Sequence, residues 1–431
     1  MALGTACNIP NEILIQILEG LLMPCDSSDQ YWTRQTDLLS ASFVNTAWRR
    51  AALVVFPKEI KCLDLTLSSE EDICKLGKLY KYAQAVHIAR MIPSIETVFF
   101  DPSFFLDCPQ RQDILCSILD NVKPSNLIIR SASAANANLL ASNELHQDFF
   151  PKLRSACSEV THLVLGDCVH GQSNFLEATP KVAHLELSML RDFDYHFQSA
   201  VKQVGPRLHS LSLNFKYPYY SNAGAQMKYT SEETDAMLLA VIPSLCALRE
   251  LTIKDFPNSR LGDEIICGLA EHCRNLSSLS IPKSNLSPSE DRYPSTKSMV
   301  KLITNLSLLE VLNVANHFNL SDRFLESLTT CAPRLRHIIL ANCYNMTGQY
   351  VDEARLNWPE LVTLDLGHDL EPFKESFVEA VLRQCPGLRF LQVSPYALTE
   401  GLLKTLEDLG FRGTRIGYFR TINGVIGDFR E

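Results

Sequence analysis

Residues 331–347 read Cys331-Ala-Pro-Arg-Leu335-Arg-His-Ile338-Ile-Leu340-Ala-Asn-Cys343-Tyr-Asn-Met346-Thr347. Leu335, Ile338 and Leu340 follow the pattern apolar-x-x-apolar-x-apolar, and the period of two at its end puts Ile338 and Leu340 on one face of a strand. The pattern recurs upstream at Val160/Leu163/Leu165, Val182/Leu185/Leu187, Leu208/Leu211/Leu213, Leu248/Leu251/Ile253, Leu276/Leu279/Ile281 and Leu309/Leu312/Val314. Downstream it returns at Leu361/Leu364/Leu366 and Leu388/Leu391/Val393. Most intervals fall between 22 and 28 residues, so the chain is an array of stacked supersecondary units. Weaker copies sit at Ile60/Leu63/Leu65, around Val86/Ile88 and around Leu127/Ile129, which brings the expected count to about twelve. Helical stretches such as Asp263–Cys273, Asp322–Cys331 and Glu375–Cys385 each end just before the next strand.

The run from Cys331 to Thr347, with Leu320-Ser321-Asp322 before it, resembles the cysteine-containing class of leucine-rich repeat. The resemblance implies an α/β solenoid with a curved parallel sheet on its concave face and helices on its convex face. Cys157, Cys273 and Cys385 each lie three residues before the first apolar position of a repeat, and Cys331 lies four before. Cys168 and Cys343 follow a repeat's last apolar position by three. The 14 cysteines include no Cys-x-x-Cys pair. They are therefore expected to be buried free thiols in a reducing compartment, with no metal site.

The positions between the leucines face solvent, and they are where a partner can be read. They include His162, Val164, His184, Glu186, Glu250, Thr252, Lys254, His337, Ile339, Asp365 and Phe390, with no arginine among them. A surface that reads phosphate needs clustered arginines, so phosphopeptide capture on this face is not expected. His184, Glu250, Lys254 and Asp365 are candidate substrate contacts. His162 and His184 occupy equivalent positions of neighbouring repeats, but no third metal ligand accompanies them. Two intervals are stretched. One, after Leu213, carries Tyr217, Tyr219, Tyr220 and Tyr229; the other, after Ile281, carries Pro288, Tyr293 and Pro294. Long loops on a rigid scaffold are common binding places, so Tyr217, Tyr219 and Tyr220 join the candidates. In the tail, Asn423-Gly424 between Tyr418–Ile422 and Val425–Phe429 is a hairpin signal, expected to cap the last repeat.

The N-terminus has a different pattern. Pro10 precedes apolar residues at Ile13, Leu14, Ile17, Leu18 and Leu21, the spacing of one helical face with proline at its entry. Asp37-Leu38-Leu39, Ser42, Val44 and Trp48-Arg49-Arg50 follow. About forty residues cannot bury a core alone. The alternatives are a helical cap that packs on the next domain and a module covered by a partner. The ordered set resembles the F-box, a three-helix module that docks its host onto a Skp-type adaptor and, through it, a cullin. The resemblance implies adaptor contacts from Ile9, Pro10, Glu12, Ile13, Leu14, Leu39, Val44 and Trp48. It departs from the family at residues 23–36, about a dozen residues longer than the family pattern allows.

Hydrophobic content of 46% and charge of 21% are those of a globular chain. A net charge of −9 argues against nucleic-acid or anionic-membrane partners. No apolar run is long enough to span a bilayer, and no signal peptide is expected. No phosphate loop, nucleophile elbow or zinc-hydrolase helix is present, so neither catalytic residues nor a cofactor are expected. The organisation expected is an F-box at 1–56, a repeat solenoid at 57–410 and a capping tail at 411–431. The expected role is a cytoplasmic or nuclear substrate receptor of a Skp–cullin–F-box ubiquitin ligase that holds a protein substrate on its solenoid. The alternative is an interaction scaffold without a part in ubiquitin transfer.

Overall fold

The structure, a computed structural model, describes residues 10–21, 47–48, 50–51, 62–65, 96–102, 105, 109–130, 149–166, 172–188, 195–214, 231–254, 261–283, 294–351, 353–367, 373–394, 398–414 and 417–420. The chain forms two compact units, Met1–Val182 and Ala183–Glu431.

The first unit opens with helix α1 (Asn11–Leu21). Its strands β1 (Cys62–Asp64), β2 (Thr97–Phe100), β3 (Asn126–Ile129) and β4 (His162–Leu165) pair in that order, all parallel. Helices α2 (Pro109–Val122), α3 (Phe149–Ala156) and α4 (Gln172–Ala178) follow β2, β3 and β4. Phe100 packs edge-on against Phe105 with 5.9 Å between centroids, and Phe150 against Phe175 at 5.5 Å. The copy expected at Val86/Ile88 lies outside the described residues. The strand hydrogen-bonded to β1 is instead Thr97–Phe100, where Ile95/Val98/Phe100 satisfies the same pattern.

In the second unit eight parallel strands run in sequence order: β5 (His184–Ser188), β6 (Ser210–Asn214), β7 (Glu250–Lys254), β8 (Ser278–Ser280), β9 (Val311–Asn313), β10 (His337–Ile339), β11 (Thr363–Asp365) and β12 (Phe390–Gln392). Between them lie α5 (Tyr195–Val204), α6 (Ser231–Val241), α7 (Asp263–His272), α8 (Thr296–Asn305), α9 (Asp322–Cys331) and α10 (Glu375–Gln384). The central apolar residues of the repeats sit opposite one another in register and are buried, from Leu185 through Leu279 to Leu391. Stacking supplies the core that no repeat has alone. One repeat departs from the helical expectation: before β11 comes a 3-10 turn, Glu353–Arg355. The buried Trp358 follows it, and its indole N–H donates to the Leu328 carbonyl at 3.2 Å.

Polar side chains also bond repeat to repeat. Asp322 Oδ1 accepts from the amides of Thr347 (2.6 Å) and Gly348 (2.9 Å), and its Oδ2 accepts from the Thr347 hydroxyl (2.7 Å). Asp263 accepts likewise from the Ser295 amide and the Ser298 hydroxyl, each at 2.6 Å, and Glu375 from the Thr399 hydroxyl. Each of these acids is the first residue of its helix, where the helix dipole favours negative charge. After the strands, Asn316 (φ 67°) and Asn342 (φ 60°) take left-handed conformations that asparagine tolerates. Asn342 Nδ2 donates to Asn316 Oδ1 and Asn316 Nδ2 to the Lys283 carbonyl, both at 2.8 Å.

The sheet does not end on a bare edge. Beyond helix α11 (Glu400–Asp408), β13 (Phe411–Thr414) and β14 (Gly417–Arg420) form an antiparallel hairpin, and β14 pairs antiparallel with β12. A capping hairpin is present, but it is built one strand earlier than Asn423-Gly424 indicated. Both edges of β14 are taken, by β12 and β13; Asn423-Gly424 and Val425–Phe429 lie outside the described residues.

Cys157, Cys273, Cys343 and Cys385 are buried free thiols, each pushed up to about 12 by burial. Cys331, offset by one residue, is only half-buried, and Ala332 takes the core position. Cys168 lies outside the described residues.

Candidate functional site

Helix α1 divides its apolar residues between two faces. The Pro10 carbonyl accepts from the amides of Ile13 and Leu14, both at 3.1 Å, which fixes the first turn. Leu14 and Leu18 are 1% and 0% exposed, whereas Ile13 and Ile17 are 47% and 43% exposed, beside exposed Pro10 and Glu12. Two i,i+4 pairs therefore point different ways. Of the expected adaptor contacts, Pro10, Glu12 and Ile13 face solvent. Leu14, also in that set, is buried within the protein itself. Ile17, absent from that set, lies on the exposed stripe beside Ile13. Trp48 is half-buried, next to the fully buried Ala51. Ile9, Leu39, Val44 and the 23–36 segment lie outside the described residues.

The second candidate is the solvent side of the strands in the second unit. Glu250 and Lys254 are exposed at the two ends of β7. His184 is half-buried, with its ring edge-on to His209 at 6.3 Å. Asp365 Oδ1 accepts from the Gly367 amide at 2.9 Å, so that carboxylate also holds its own turn. Tyr217, Tyr219 and Tyr220 lie outside the described residues, as do the rest of 215–230 and 284–293. In the first unit Val164, expected to face solvent, is buried. Among the described residues no group of three or more His, Cys, Asp or Glu is arranged to hold a metal, and no helix is long and apolar enough to cross a membrane.

A row of residues missed by the period-two reading borders this face. At the start of each strand from β6 to β12 two consecutive amides donate to a single carbonyl of the preceding repeat. Arg249 and Glu250 bond the His209 carbonyl at 2.8 and 2.9 Å, Arg336 and His337 bond that of Glu310 at 2.8 and 3.0 Å, and Arg389 and Phe390 bond that of Val362 at 2.8 and 3.1 Å. The carbonyl is shared by two amides while the strands keep one-to-one register, so the residue before each strand holds the same place in every repeat. The row runs His209, Arg249, Ser277, Glu310, Arg336, Val362, Arg389, and its three arginines are all exposed. The strand face is therefore bordered by arginines after all, one residue before the positions first considered. The signal lay in the x directly after each repeat's first leucine. His337 titrates among these groups: burial lowers its pKa, Arg336 lowers it further and Glu310 opposes them. Its Nδ1 lies 3.0 Å from the Thr363 hydroxyl.

No protein-family model matches the chain, and no curated protein matches it in sequence. Among solved structures it is similar to a chain of the yeast Rad7–Elc1 complex, at 16% identity over 88% of this chain and 97% of that one, with a TM-score of 0.45. It is also similar to the leucine-rich repeat-containing protein LegL7 from Legionella pneumophila, at 17% identity over 67% and 86% of the two chains, with a TM-score of 0.39.

Proposed function

We propose that the chain is the substrate-recognition subunit of a Skp–cullin–F-box ubiquitin ligase. In this reading α1 docks the adaptor, the strand face of the repeats holds a protein substrate, and the chain itself is not catalytic. The observation that carries the proposal is the division of α1. Leu14 and Leu18 anchor the helix inside the protein, while Ile13 and Ile17 stay exposed beside Pro10 and Glu12. A helix serving only as a cap gains nothing from a second apolar stripe in water. Burying each isoleucine in a partner is worth roughly 1.5–3 kcal/mol for a fully covered side chain. Ubiquitin transfer would then occur in trans, and the receptor's contribution is effective concentration.

The test is an affinity purification of the full chain beside an Ile13→Asp/Ile17→Asp variant, with partners read by mass spectrometry. Both positions are exposed, so the variant is expected to keep the wild-type melting temperature. Adaptor and cullin on the wild type and absent from the variant are the expected result. If the wild-type chain captures no adaptor, the ligase reading fails and the repeats belong to an interaction scaffold.

A further inference from the structure

Arg336 and Arg389 stand two strands apart in this row, with Val362 between them. Both are exposed, and neither forms an ion pair among the described residues. On the helices and turns of neighbouring repeats, Arg355 and Arg383 are paired instead, with Glu326 at 3.5 Å and Glu353 at 3.0 Å. Just inside the row lies Phe390, half-buried, beside Thr363 and His337 in register. The two arginines border a partly apolar floor, and Asp365 of β11, on the same face, bonds the Gly367 amide.

We propose that this end of the strand face, β10 to β12, binds an extended acidic segment of a protein, with one carboxylate on Arg336, one on Arg389 and an apolar residue between them over Val362. The proposal rests on the substrate-receptor reading and names the class of segment such a receptor would take.

The spacing selects carboxylates over phosphate. Adjacent strands lie about 4.8 Å apart, so the two arginine positions are about 10 Å apart. A phosphoryl group is read by guanidinium groups that converge on one anion, whereas Val362 separates these two in the row. An extended peptide advances about 3.3 Å per residue and turns every second side chain to the same face, so the matching acids stand at i and i+4, about 13 Å apart and within reach of two long arginine side chains, with the apolar residue at i+2 between them. Glu310 occupies the next place in the row beyond Arg336. It repels a further acid there and fixes the end of the acidic stretch.

The probe is a displayed library of random 12-residue peptides selected on the immobilised full chain. The expected outcome is enrichment of sequences with Asp or Glu at i and i+4 around an apolar residue at i+2. A peptide so selected, measured by fluorescence anisotropy, should bind an Arg336→Glu/Arg389→Glu variant at least tenfold more weakly. It should lose affinity with added salt, and should bind a control Arg323→Glu/Lys404→Glu variant as tightly as wild type. Enrichment without spaced acids, equal binding to both variants, or selection only from a library carrying phosphoserine would overturn the proposal. Adaptor capture by the Arg336→Glu/Arg389→Glu variant separates the two readings. If adaptor is retained while peptide is lost, both stand; if the wild-type chain captures no adaptor, the receptor reading falls and the peptide result still decides this one.

Discussion

His317 shows how a single buried side chain sets a pH limit on the second unit. It is 3% exposed, and its Nε2 donates to the Ile281 carbonyl at 2.7 Å. Burial brings its pKa down to about 4, against the opposing pull of that hydrogen bond. The ordinary value is 6.5, so the folded protein holds the ring neutral where the unfolded chain already binds a proton. The contribution is complete above pH 6.5 and is lost as pH falls toward 4, at about 1.4 kcal/mol per pH unit. Urea denaturation between pH 7 and 5 is therefore expected to lose roughly 2 kcal/mol over this window. His317→Gln keeps a donor near the carbonyl and should flatten the slope, whatever its effect on absolute stability. Equal slopes for both proteins would place the pH sensitivity elsewhere. Asp263 belongs to a more acidic range. Burial raises its pKa, but the bonds from Ser298 and Ser295 outweigh it and hold the carboxyl below its usual value, so its share is lost only as pH falls through the carboxylate range.

At the scale of elements, leucine periodicity gives the strands, while helix N-termini join neighbouring repeats. Asp322 begins α9 and accepts three hydrogen bonds from Thr347 and Gly348 of the next repeat. Gly348 is bound to this arrangement twice over: its φ is 70°, and an added Cβ would lie 2.5 Å from the Phe377 ring. Asp322→Ala leaves two amides and a hydroxyl without their acceptor and should cost about 3 kcal/mol in chemical denaturation. Asp322→Asn, keeping one carbonyl oxygen, should cost distinctly less; equal losses would mean that the helix-dipole charge matters more than the bonds. The strands were legible because their pattern repeats with buried residues at fixed places. The choice of β2 was not, since the stretch around Val86/Ile88 and Ile95/Val98/Phe100 both fit the pattern, and Phe100 is buried against Phe105 and against Phe175, far along the chain. The arginine row was hidden for a different reason. Period-two reading covers the strands themselves, and these arginines stand one residue before the strand, between it and the buried first leucine of the repeat. The split of α1 was likewise beyond a single stripe of spacing, because only packing ranks Leu14 and Leu18 above Ile13 and Ile17.

Across the second unit as a whole, a stack of repeats must solve the problem of its last strand. Each inner strand from β6 to β11 has both edges hydrogen-bonded to neighbours, and β12 keeps this condition only because β14 pairs with it, Phe390 opposite Phe419 and Leu391 opposite Tyr418. Phe411, at the start of β13, is itself buried. An uncovered edge offers unpaired amides and carbonyls to any other chain, and in a repeat array such a loss is felt first by the nearest repeats. Deleting residues 411–431 should therefore lower the melting temperature and produce concentration-dependent association in light scattering, through β12 edges pairing between molecules. Deleting 421–431 alone leaves both hairpin strands in place and should preserve the behaviour of the full chain. If the longer deletion melts and scatters like the full chain, the hairpin does not cap the sheet, and β14 is an accessory strand laid on an edge that protects itself.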